Sequence, residues 1–160
     1  MAFILAADGR QADVVGAFRR YQEYLQSTEG VFPPSAYALA TSDWYFNFKD
    51  HRCPHDAWLE TLSLSEPSFG ERSEKRSLSL NVRLLGAYHD GYIELLYPRV
   101  FRYALNVSDG ERGHRDWRYD ELRVSDQGHL VHEIEWRCLG EVGVWVIEAS
   151  DLEFRWVPKL

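Results

Sequence analysis

Two cysteines, Cys53 and Cys138, are the only thiols in a chain of 160 residues, and they lie far apart in it. So sparse a set builds no disulfide framework, and stability must come from an apolar core. No apolar run approaches the roughly 18 residues of a membrane span. The opening Met1–Ala7 stretch is apolar, but no basic residue precedes it, and Asp8 ends it below the length of a secretory leader. The expected compartment is the cytoplasm, with no membrane partner. Also missing are a GxSxG elbow, a phosphate-cradling glycine loop and a dinucleotide fingerprint. No cofactor is therefore expected. Positive charge is in deficit too: 18 Lys and Arg face 25 Asp and Glu, for a net charge of −7. An acidic chain repels phosphate backbones at long range, which argues against nucleic acid as the partner.

What the chain does have is aromatic surface. Phe, Trp and Tyr make up 14% of it, six of them Trp. Such side chains suit sheets, where they pack across strands. The length predicts one domain over 1–160, with a helical and irregular part at 1–55 and antiparallel hairpins at 56–160.

In the first part, Val14, Phe18, Tyr21 and Leu25 recur at helical spacing. They predict one helix from about Arg10 to Thr28, capped by Asp8 and stopped by Gly30. Pro33-Pro34-Ser35 predicts a short second helix over 36–41. From Asp56 the period becomes two. Leu78, Leu80, Val82 and Leu84 alternate with Ser77, Ser79, Asn81 and Arg83, the mark of a strand with one buried face. Asp90-Gly91 predicts a two-residue hairpin turn, and Ser125-Asp126-Gln127-Gly128 a second hairpin with its glycine at the bulge. Val142–Ile147 is apolar on both faces, which predicts a strand covered twice. About eight strands in meander order should give a strongly bent antiparallel sheet or partial barrel with the N-terminal helix packed on it, a mostly β α+β fold.

Three clusters could carry chemistry. His51, Cys53 and His55 are potential metal ligands at every second residue, but the paired spacing of zinc modules is absent. A turn at Pro54 explains them as well. The run 113–121 holds imidazole, carboxylates and guanidinium groups, as acid–base catalysis requires. On a regular strand His114, Asp116 and Asp120 would share a face, with His89 as a further candidate. A charged hairpin edge accounts for the same residues. His129 and His132 match zinc-protease strings only in spelling, since a strand sends them to opposite faces; His132 falls with Leu130, Ile134 and Trp136 toward the core.

Residues 120–160 carry nine acids against four bases. That imbalance suits a binding module for a basic protein or a small ligand, and an immunity or inhibitor protein is one form of it. The contrasting expectation is a small metal-independent hydrolase or isomerase using His114, Asp116, Asp120 and His89. A third is a carrier of a hydrophobic ligand inside the curved sheet.

Overall fold

A computed structural model describes residues 1–160. Three helices come first: α1 (Ala7–Ala12), α2 (Val14–Ser27) and α3 (Pro34–Ala40). The strands follow as β1 (Trp58–Ser65), β2 (Ser68–Phe69), β3 (Lys75–Arg76), β4 (Ser79–Leu85), β5 (Gly91–Tyr97), β6 (Val100–Leu105), β7 (Asp116–Val124), β8 (Leu130–Cys138), β9 (Glu141–Ala149) and β10 (Glu153–Pro158). Eight of them form one open antiparallel sheet in the order β10-β5-β4-β1-β7-β8-β9-β6, and β2 and β3 make a separate hairpin. The mostly β α+β class read from the sequence is the fold observed.

Two strands leave the meander order. After Pro98 the chain bends, and β6 pairs with β9 at the far edge, while β10 returns beside β5. The sheet is really two four-stranded halves. Between β1 and β7 the ladder has one pair, Trp58 with Asp116, extended by two backbone bonds, Asp56 N–H to Trp117 C=O (2.7 Å) and Trp117 N–H to Ala57 C=O (3.0 Å). Beyond that seam the halves splay, and their inner faces meet to make the core. Leu80, Val82, Leu84, Ile93, Leu95 and Tyr97 come from one half; Leu122, Leu130, Ile134, Trp136, Trp145 and Ile147 come from the other.

The splay leaves the β7 edge beyond the seam without a strand partner, and α2 fills the gap. The Tyr21 hydroxyl donates to the Leu122 carbonyl (2.7 Å) and accepts from the Leu122 N–H (2.8 Å), while the Tyr24 hydroxyl accepts from the Val124 N–H (2.9 Å). Buried backbone groups need partners. Here tyrosine hydroxyls replace a neighbouring strand.

Five sequence expectations need correction. The first helix breaks in two, because Asp13 leaves helical geometry to cap α2 through the Gly16 N–H (2.9 Å); Asp8 makes no cap. Gly30 takes no left-handed conformation, and α2 ends at Thr28. At the β4–β5 hairpin the left-handed residue is His89 (φ 59°), not Asp90 or Gly91. The loop is longer than a two-residue turn, with Gly86 N–H bonded to Gly91 C=O (2.9 Å), and Gly91 is needed because the Trp156 ring occupies the space of a β-carbon. The outer face of β9 is not covered: Val142 and Val144 are exposed, and the chain from Phe3 to Arg10 lies instead against Glu121 of β7 and Glu135 of β8. Finally, a bulge at Arg118 shifts the parity of β7, as described below. The second hairpin is as expected, with Gly128 at φ 78°.

Candidate functional site

The bulge decides where the polar run 113–121 points. Trp117 pairs with Trp136, but Tyr119 pairs with the next residue back, Glu135, leaving Arg118 as the extra residue. One inserted residue reverses the alternation beyond it. Asp116 therefore stays outside, while Trp117, Asp120 and Leu122 face the core. The shared face expected for His114, Asp116 and Asp120 does not exist.

Asp120 lies in a buried polar chain. The Tyr45 hydroxyl (2.7 Å) and His132 Nε2 (2.7 Å) reach its Oδ2, and the Trp117 indole N–H reaches Oδ1 (3.2 Å). On its other side His132 Nδ1 meets the Tyr97 hydroxyl (2.6 Å). Burial raises both tyrosines well above their ordinary pKa of 10, and the nearby Asp120 charge adds to it, so both hydroxyls stay protonated donors. An Asp120 carboxylate can only accept, so Nε2–H donates to it, and in that tautomer of a neutral imidazole Nδ1 accepts from Tyr97. Tyr97 belongs to one half of the sheet and His132 to the other, so the chain bolts the halves together through the core. Asp120 is 4% exposed and the Tyr45, Tyr97 and His132 side chains not at all, which gives a substrate no access.

The other candidates gather elsewhere, around Trp58. This side chain opens β1 and is 37% exposed. Its indole N–H donates to Asp116 (2.8 Å), the Arg115 guanidinium stands 5.2 Å from its ring, and the His89 ring lies 4.9 Å away. Beside it His51 stacks on Tyr88 (3.9 Å) and bonds Asp90. A concavity of about 320 Å³ opens here, lined by Trp58, Leu59, Glu60, Arg112, Gly113, His114 and Arg115. His114 packs 5.1 Å from Trp136 and 5.0 Å from Trp145, whose buried indole N–H groups find no acceptor. His89 and Arg115 (φ 60°) are left-handed at this rim, two of the five non-glycine residues in that region of φ. Such backbone is strained by roughly 1–3 kcal/mol per residue and clusters at functional sites.

His51, Cys53 and His55 do not converge. His55 stacks on Phe48 (3.7 Å) and its Nδ1 bonds the Arg118 carbonyl, while Cys53 is buried and its thiol is pushed up to about 12, chiefly by burial. No group of three or more His, Cys, Asp or Glu side chains is placed to hold a metal ion. The acids of the last third are also engaged within the fold. Glu121 accepts from the Phe3 and Leu5 N–H groups (2.7 and 2.8 Å) and pairs with Arg123, which also binds Glu133. Glu135 lies against Arg10, and Asp151 caps α3 through the Ser35 and Ala36 N–H groups. The His129 hydrogen bond, with help from Arg102, holds Glu148 below the usual carboxylate range. With Asp120 these make six of the nine, so the charge imbalance does not translate into one open acidic face.

Burial holds the His55 and His114 imidazoles below their ordinary pKa of 6.5. The unfolded chain takes up those protons near pH 6.5 and the native chain only lower. Their contribution to stability is thus complete above about pH 6.5 and is lost as the pH falls through the native values. The urea midpoint is expected to drop between about pH 7.5 and about pH 5.5. In His114→Gln that drop should be smaller, and an unchanged slope would remove His114 from the account.

No family model, curated protein or solved structure matches the chain. No helix is long and apolar enough to cross a membrane.

Proposed function

We propose that the protein is a non-enzymatic binding module that seats a protein partner on the concave face around Trp58. The observation that carries this reading is that two left-handed, non-glycine residues, His89 and Arg115, flank the ring of one exposed tryptophan, Trp58. Their strain is compensated elsewhere in the fold and keeps the rim in one shape. Pre-organisation of that kind lowers the entropy lost on association. Trp and Arg are also the residues that dominate interface energetics when they stand together in a shaped depression. A hydrolase or isomerase built on His114, Asp116, Asp120 and His89 has less support, because Asp120 is sealed in the core while the other three stand near the surface.

Immobilised wild-type protein and Trp58→Ala, exposed to an extract of the source cells, test the reading. A partner retained by the wild type should be lost by Trp58→Ala, with affinity down by about 30-fold or more, the effect of a hot-spot residue of at least ~2 kcal/mol. Arg155→Ala, on the far β10 edge, should retain it. Equal retention by Trp58→Ala would overturn the proposal. So would turnover of any substrate by the purified protein that His114→Ala abolishes.

A further inference from the structure

A second depression shares no lining residue with the Trp58 concavity, and its chemistry is different. It has a volume of about 450 Å³ and lies between α1 and the outer face of β7 and β8. Three guanidinium groups border it: Arg10 from α1, Arg118 from the β7 bulge and Arg137 from β8, with Gln11 beside them and Tyr119 as the floor. Arg10 stands 4.2 Å from the Tyr119 ring centre and Arg118 stands 5.8 Å from it. Like charges converge in this way only where something offsets them.

The fold offsets them incompletely. Glu135 is the carboxylate for two of the three, and it grips neither closely: 3.5 Å to Arg10 Nη2 and 3.9 Å to Arg137 Nε. Arg137 Nε is buried without a hydrogen-bond partner. Asp56 takes Arg118 (2.9 Å) and is itself half-exposed. Three positive charges thus face two negative ones, in a chain whose net charge is −7. The bulge adds to the case. It is the insertion that turns Arg118 out of the ladder, and bulges re-aim side chains at sites.

We infer that this cleft binds the phosphate group of a small phosphorylated molecule. A carboxylate offers two oxygens and is satisfied by one guanidinium fork; a phosphate monoester offers three terminal oxygens, one for each arginine. The volume exceeds what a bare oxyanion fills, leaving room beside the arginines for an organic moiety. The assignment does not rest on the function proposed for the Trp58 face, since no residue lines both depressions.

Calorimetry of the full chain with phenyl phosphate, inorganic phosphate and benzoate tests the assignment. Phenyl phosphate should bind most tightly, and Arg118→Gln and Arg137→Gln should each weaken it by about tenfold or more. Both side chains are over a third exposed, so both variants should fold, which their circular dichroism checks. Arg155→Gln should bind as the wild type does. Equal affinity for inorganic phosphate would assign the cleft to the free ion and overturn the organic part. Tighter binding of benzoate, or undiminished binding by the two variants, would overturn the phosphate assignment outright.

Discussion

Asp120→Ala is expected to destabilise the fold by about 4 kcal/mol, enough to leave only about 1 kcal/mol if the total lies near the low end of the usual ~5–15 kcal/mol. The reason lies in what remains behind. The Tyr45 hydroxyl, the His132 Nε2–H and the Trp117 indole N–H all end on this one carboxylate, and all are sealed from water. Each buried donor left without an acceptor costs roughly 1–3 kcal/mol, and three such losses in one network do not simply add. Asp120→Asn should be milder, since its amide oxygen still accepts from one donor while its NH₂ faces the others. Urea unfolding followed by tryptophan fluorescence measures both. If Asp120→Ala unfolds within about 1 kcal/mol of the wild type, the chain from Tyr97 to Tyr45 does not hold the halves together.

How much of this was legible in the residues varies from element to element, for physical reasons. The two-residue rhythm of β4 and of β8 placed Leu80, Val82, Leu84 and His132 on the core side, and they are buried. Alternation is a local property, and within an unbroken ladder it transmits correctly. β7 shows where it fails. Its bulge at Arg118 answers to the partner strand's register, and nothing in the string Asp116-Trp117-Arg118-Tyr119-Asp120 marks the extra residue. Every face beyond it was therefore inverted, and Asp120 looked like a companion of Asp116 instead of the centre of the core network. The partners of Asp120 were equally hidden, since Tyr45 and Tyr97 lie 75 and 23 positions earlier in sequence, with no spacing to announce them. Trp58 was visible as a strand residue but not as a site, because its importance comes from two loops that meet it only in three dimensions. A polar residue placed between Trp117 and Leu122 was the one available clue, since both of those are apolar enough to demand the inside.

The same seam that hides in the sequence governs the second large effect. Where β1 departs from β7, the Leu122 N–H and C=O would face a gap, and the Tyr21 hydroxyl answers both. Tyr21→Phe keeps the ring and its contacts with Phe3 and Phe46 (5.9 and 5.5 Å between centres) and removes one oxygen. Two buried backbone groups then lose their partner at once, so the expected loss is about 3 kcal/mol, well above the ~1 kcal/mol of an ordinary hydrogen bond. Hydrogen exchange separates this cause from a general loosening. The Leu122 amide should lose protection beyond the global change, while the Ile134 amide in the middle of β8 should follow the global stability alone. Tyr24→Phe makes the comparison sharper, since its hydroxyl serves one N–H, that of Val124, at a half-buried position and should cost less. If the two variants prove equal, or if Leu122 exchanges no faster than Ile134, then α2 supports β7 through its rings alone and the hydroxyls do not substitute for a strand.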